Sequence, residues 1–322
     1  MPSVTDDKKI SLVVDAACDL PLSYLKERNI TLLPTAININ GKIFTDDKDP
    51  QKLESFYQQG LLLSNHNVES IAYSPEQIAQ LIQQNLVPEY DIVFLQTVSR
   101  KKSLIYENSQ NATHSVLKYA REHRANTNRR SPFALRVLNT GTLFCGQGAL
   151  AAYTSDLILQ EPSKQEVLRK ASNMCQNIHA FIVPPSVDYV RKRARKKGEE
   201  SVGFLTAMVA RSLDIVPIIK GRNDMTEPAA KIRGFDHAVT ALFEHAAAYL
   251  EAGLLSPHII VSIAGNLQTL LDMPAYQALA HQAKKLGVTV LPCVMGLTSG
   301  LNVGPGSIGM GFLAEDKDIP LG

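Results

Sequence analysis

The chain has no tryptophan, and aromatic residues make up only 6% of its 322 positions. A formal charge of +2 gives it little excess of either sign. Nucleic-acid modules bring a basic face together with aromatics or a known fold, so nucleic acid is not expected as a partner. Cysteine is scarce: Cys18, Cys145, Cys175 and Cys293 are scattered, with no C-x-x-C pair and no histidine at ligand spacing. This argues against a disulfide or zinc framework and for buried free thiols. No apolar run approaches the ~18 residues of a membrane span. The opening MPSVTDDKKISLVVDAACDLP lacks the layout of a secretory signal. A cytoplasmic protein without stable membrane insertion is therefore expected. Walker A, G-x-S-x-G, H-E-x-x-H and kinase signatures are missing. Gly146-Gln147-Gly148 is half a dinucleotide fingerprint with no acid ~20 residues on, and close helix packing explains its glycines better. Neither metal nor cofactor is expected.

What is present reads as α/β. Short apolar runs alternate with amphipathic segments. Strands are expected at Ile10 to Val14, Asp91 to Thr97 and Ala134 to Leu138, with helices at Pro50 to Gln59, Pro75 to Leu86 and Ser103 to His123. Ser74-Pro75-Glu76 carries a serine N-cap, a first-turn proline and a first-turn acid. Asn40-Gly41 marks a hairpin, read as peripheral. Further strands are expected at Ala180 to Val183, Ile215 to Ile219, His258 to Ser262 and Val288 to Val294, with helices at His237 to Ala252 and Leu267 to Leu286. Gln160 to Gln165, with Pro162, breaks the pattern between domains. The expected division is 1–160 and 161–322, two α/β domains with mainly parallel sheets flanked by helices.

Three features suggest function. Six glycines fall between Met295 and Phe312, in MGLTSGLNVGPGSIGMGF, which reads as a loop lying over a cleft. Six cations in the nine residues Tyr189 to Lys197 read as a solvated basic face, or as a contact for phosphate or an acidic partner. Hydroxyls at Ser70, Ser74, Ser99, Ser103, Thr140 and Thr142 sit near strand ends and helix starts, where α/β sheets collect anionic ligands. Simple capping is the competing reading.

The order of these pieces resembles the DegV family of bacterial fatty-acid-binding proteins. Val14 to Pro21 resembles the family's D-S-T-A-D-L-P start, Ser70 to Pro75 its T-S-Q-P-S-P, and Ser99 to Tyr106 its S-S-K-L-S-G-T-Y. Asn139 to Gly148 follows D-S-x-x-A-S-x-G-x-G. Tyr189 to Arg195, Ile215 to Ile218, Lys231 to Gly234 and Gly300 to Gly309 resemble Y-L-x-K-G-G-R, I-K-P-I, K-x-R-G and G-T-H-T-G-P-G-x-x-G. Eight short motifs keep their order nearly end to end.

The resemblance implies two α/β domains, a long-chain fatty acid buried in the first, and its carboxylate near the interdomain cleft. It also implies a binding protein without catalysis of its own, which presents the acid to a fatty acid kinase. The residues it points to are Ser70, Ser99, Arg100, Ser103 and Asn302. Ser70 keeps a hydroxyl where the family has threonine. Arg100 replaces a serine, and a guanidinium grips a carboxylate well. Asn302 replaces a histidine, while Arg193 and Ala194 replace two glycines. The altered head-group set leaves two other readings: a small-anion enzyme or phosphotransfer component, and a degenerate paralogue acting through protein contacts at the basic face.

Overall fold

The computed structural model describes residues 9–62, 67–127, 129, 131–161, 163–199, 202–209 and 214–322. The first eight residues and Pro162 lie outside that set. In chain order the first half holds β1 (Ile10–Asp15), α1 (Leu22–Glu27), β2 (Thr31–Leu33), β3 (Thr35–Ile39), β4 (Lys42–Asp46), α2 (Pro50–Gln58), β5 (Val68–Ile71), α3 (Pro75–Asn85), β6 (Ile92–Thr97), α4 (Ile105–Asn126), β7 (Ala134–Asn139) and α5 (Phe144–Gln160). Then come α6 (Lys164–Met174), β8 (Ile178–Val183), α7 (Val187–Lys197), α8 (Val202–Val209), β9 (Ile215–Arg222), β10 (Met225–Arg233), α9 (Phe235–Ala252) and β11 (His258–Ile263). The chain continues through α10 (Leu267–Leu271), α11 (Pro274–Lys285), β12 (Thr289–Val294), α12 (Leu297–Val303) and β13 (Ile308–Leu313).

The α/β class stands. The first sheet, ordered β2-β1-β6-β7, is parallel throughout. The six-stranded sheet, ordered β10-β9-β8-β13-β11-β12, corrects the expectation of mainly parallel pairing: of its pairs only β11 with β12 is parallel. Its inner strands β8, β11 and β13 are nonetheless buried along their whole length, because both faces are covered.

Between the two sheets lies α5, which packs on β1 and β6 on one side and on β8, β11 and β13 on the other. It is apolar nearly all round, as such a position requires. One cluster of buried side chains runs from Leu12 and Val14 through Ala149 and Leu150 to Ile178, Ile260 and Leu313. The glycines of the half-fingerprint allow this packing. A Cβ on Gly148 would sit 2.3 Å from the Asp19 carbonyl oxygen, and one on Gly146 would sit 2.5 Å from Ala180 Cβ.

Two local readings change. Asn40 and Gly41 both take left-handed φ, as a tight hairpin needs. That hairpin is not peripheral: β3 pairs with β4 and β5, and Ile37 at its centre is fully buried. The expected helix over Leu267 to Leu286 is split, because Pro274 opens a new helix and extends the residue before it.

The glycine-rich segment is no lid. It forms α12 and then β13, a buried strand in the interior of the second sheet. Its glycines do answer a close approach, but to the rest of the chain. A Cβ on Gly300 would meet Tyr57 Oη at 2.0 Å, and one on Gly311 would meet the Cys145 backbone at 2.2 Å. Gly311→Ala is expected to destabilise by roughly 1–3 kcal/mol through overpacking against backbone that cannot yield. Gly203→Ala, on an open helix surface, should instead stabilise by about 0.5–1 kcal/mol. Urea unfolding midpoints check both signs.

Candidate functional site

Strands β1 and β6 both end at the carboxyl edge of the parallel sheet, where α/β folds leave a crevice. The loops that follow them, with β5, α7 and α12, enclose a cavity of ≈ 390 Å³. Its size is that of a small-molecule site. Leu143, Phe144, Val190, Ile182, Leu205 and Ile219 give it an apolar wall. Four of these six come from the second half, so the apolar space is shared between the halves and is not confined to the first.

Four of the five expected head-group residues line this cavity: Ser70, Arg100, Ser103 and Asn302. Ser70 is on β5, at the edge of the three-stranded sheet. Ser103 Oγ accepts from the Ile105 amide at 3.2 Å, opening α4. Asn302 Nδ2 donates to the Thr298 carbonyl at 2.7 Å, leaving Oδ1 buried without a partner. An amide oxygen only accepts, so in this rotamer a carboxylate could be met only by the second Nδ2 hydrogen. Ser99 is not part of the lining. Its buried Oγ donates to Asp224 Oδ1 at 2.6 Å. The hydroxyls of Thr140 and Thr142 are likewise used internally, donating to the Thr97 and Gly221 carbonyls at 2.8 Å each. Ser74 caps α3, with Gln77 returning the bond in a capping box.

Sequence reasoning missed Thr298, Thr226 and Arg193, which also line the cavity. All three hold a buried polar atom without a partner: Thr298 Oγ1, Thr226 Oγ1 and Arg193 Nε. Arg193 is half-buried, with one guanidinium nitrogen donating to the Val68 carbonyl at 2.8 Å. Burial pulls its pKa below the ordinary arginine value, yet a guanidinium stays charged. The signal was in the spacing. Val190, Arg193, Ala194 and Lys197 recur at i, i+3, i+4 and i+7, the inner face of α7, and all four reach the cavity. Lys192, Arg195 and Lys196 on the other face are exposed, as is Lys197 at the end of the helix.

A second buried group fixes α12, and so Thr298 and Asn302. Lys48 Nζ lies 3.2 Å from Asp19 Oδ1, with both side chains almost wholly buried. Asp19 also accepts from Ser262 Oγ at 2.9 Å, Ser299 Oγ at 3.0 Å and the Gly296 amide at 3.2 Å. Asp46 Oδ2 accepts from the Thr298 amide at 2.7 Å. Two acids thus serve the open amides at the start of α12, which has no side-chain cap of its own. Tyr57 Oη donates to the Met295 carbonyl at 2.8 Å, and Tyr189 Oη to those of Leu62 at 2.8 Å and Leu301 at 3.1 Å. Burial opposes the Lys48 charge, but Asp46 and Asp19 outweigh it and hold the ammonium's pKa above the usual lysine value. Burial raises the Asp19 carboxyl, with Lys48 and its hydrogen-bond donors pulling the other way. Burial also pushes the thiols of Cys18, Cys145 and Cys293 well up, which makes them poor nucleophiles.

A cleft at a sheet edge, with an apolar wall and a few converging polar groups, is the anatomy of a small-molecule binding protein. The model of the family described as "Uncharacterised protein, DegV family" matches residues 9–315, and the chain belongs to that family. A DegV domain-containing protein of Xanthomonas axonopodis pv. citri is 35% identical over 307 residues, covering 95% of this chain and 98% of that one. The fold is shared with a DegV lipid binding protein of Thermotoga maritima, at a TM-score of 0.73 and 20% identity over 96% of this chain and all of that one. It is shared too with the Streptococcus pneumoniae fatty acid kinase B3 protein loaded with linoleic acid, at a TM-score of 0.68 and 17% identity over 95% of this chain and all of that one. No helix among the described residues is long and apolar enough to cross a membrane.

Lys48→Met strands the Asp19 charge and should lower the unfolding free energy by roughly 3–5 kcal/mol at pH 7. The sign of the pH dependence follows from the raised Asp19 pKa. A carboxyl raised on folding adds stability below its unfolded pKa and loses it as pH rises through the folded one. The deficit of the variant should therefore shrink as the solution is acidified from pH 7 towards pH ~4. Paired urea titrations across that range decide, and a pH-independent deficit would refute the assignment.

Proposed function

We propose that this chain binds a long-chain fatty acid between its two halves, 1–160 and 161–322, as a cytoplasmic carrier with no catalysis of its own. The observation that carries the reading is the cavity, whose apolar wall is rimmed by polar atoms lacking partners on Arg193, Thr298 and Thr226. Each methylene withdrawn from water contributes about 0.8 kcal/mol, so the chain supplies most of the affinity and the rim fixes the register. Ser70, Ser103, Thr298, Arg193 and Arg100 are the proposed carboxylate contacts, with Asn302 joining them through its second Nδ2 hydrogen. Ser99 contributes only if it leaves Asp224.

The mouth of the cavity suits transfer of the head group to another protein. Arg100 and Leu104 are both largely exposed there. In keeping with the fatty acid kinase component of Streptococcus pneumoniae that shares this fold, the proposed partner is a fatty acid kinase.

Weighing the protein intact under native and denaturing conditions tests the guest. A difference equal to a fatty acid supports the carrier. A polar metabolite would favour the small-anion reading, and no guest together with no binding of hexadecanoate to delipidated protein would end the proposal. Removing charged hydrogen bonds costs ~1.5–3 kcal/mol each, so Ser70→Ala with Arg100→Ala should weaken hexadecanoate binding about tenfold or more with folding intact. Arg193→Ala should do the same. Unchanged affinity in all these variants would discard the head-group assignment.

A further inference from the structure

The turn between β9 and β10 carries a carboxylate into the expected head-group site. Asn223 and Asp224 both take left-handed φ at the hairpin tip, and the Asp224 amide donates to the Gly141 carbonyl at 2.9 Å, docking the tip on the first half. The Asp224 side chain is largely buried there. Its Oδ1 accepts from Ser99 Oγ at 2.6 Å and from Asn139 Nδ2 at 3.1 Å. Its Oδ2 lies 2.9 Å from the same Asn139 nitrogen and 3.4 Å from Arg100 Nε. Asn139 is itself held in place, because its Oδ1 accepts from the amides of Arg100 and Gly141 at 3.0 and 3.2 Å.

Two neutral donors and one guanidinium around one carboxylate form an anion seat, and here the chain fills the seat itself. Arg100 is common to this seat and to the cavity lining. A carboxylate brought in by a ligand would compete with Asp224 for the same cation.

We propose that Asp224 is an internal competitor for the ligand's carboxylate: by occupying the Ser99, Asn139 and Arg100 donors it weakens binding of acids and makes release easier. This rests on the fatty-acid reading and adds to it a residue that sets affinity through charge. It also explains how Ser99 is present in sequence yet absent from the cavity lining. The other cations of the rim, Arg193 foremost, then carry the first hold on the ligand.

The test is a calorimetric titration of delipidated wild type and Asp224→Asn with hexadecanoate and with hexadecan-1-ol. Asparagine tolerates a left-handed turn and keeps an acceptor for Ser99 and Asn139 at Oδ1, while its amide nitrogen replaces Oδ2, so the change removes the charge together with the acceptor facing Arg100. Asp224→Gly, which also fits the turn, serves if the first variant folds poorly. The expected result is hexadecanoate bound about tenfold tighter, alcohol affinity unchanged, and the gain lost when Arg100→Ala is added. Equal hexadecanoate affinity in wild type and variant overturns the competitor while leaving the carrier intact. Equal tightening towards acid and alcohol also overturns it, since a loosened seam and not charge would be the cause. If wild type binds neither ligand and the variants bind neither, the carrier reading and the competitor fall together.

Discussion

One buried ammonium organises the seam between the halves. Lys48 is buried, and its charge is tolerable only because Asp19 and Asp46 stand beside it. Those acids in turn accept from amides and a hydroxyl at the start of α12. The contact is therefore an address more than a source of net stability: hydrophobic residues of equal volume could fill the space, but they would not dictate which helix terminus sits there. From that terminus the cavity-facing positions Thr298 and Asn302 follow at helical spacing.

This dependence separates the two sets of charges in the molecule. Those at the seam are sealed and largely matched, though Asp46 Oδ1 is left without a hydrogen-bond partner. Those at the cavity are less complete, with Arg193 Nε left over, and Arg100 is only loosely matched by Asp224 at 3.4 Å. A group meant to hold a ligand cannot also be saturated by its neighbours. The contrast between Ser299, engaged with Asp19, and Thr298 one residue earlier, with an unpartnered hydroxyl, shows how finely a single turn of α12 divides those duties.

Much of this was legible in the residues. Strands with strong apolar runs, such as Ile10–Asp15 and His258–Ile263, and helices with clear caps, such as the one following Ser74, needed no tertiary information. The four-residue strand Val68–Ile71 is too short for periodicity to register. The strand Met225–Arg233 hides behind Pro228, which sits at an irregularity of pairing, an exception that sheets allow at bulges. The glycines from Gly296 to Gly311 suit a loop over a cleft when taken alone, but the chain uses them in a helix and a buried strand. Composition reveals that a backbone must come near something, but not whether that something is a guest or the chain itself. Of the site, Ser70, Arg100 and Ser103 come from motif order and Arg193 from the helical spacing of α7, whereas Thr298 and Thr226 follow only once α12 and β10 are placed in space.

The position of β13 reaches beyond binding. This strand is formed by residues 308–313 yet lies between β8 and β11, which are complete some fifty to one hundred and thirty residues earlier in the chain. Until it arrives, those two strands have no hydrogen-bonding partner on their facing edges, and the apolar surface of α5 that rests on it stays uncovered. Assembly of the second sheet thus waits until residues 308–313 have been made, and the growing chain carries an open, sticky gap from the completion of β11 until then. The same topology that seals α5 in the finished molecule leaves it most open to wrong partners just before β13 slides in.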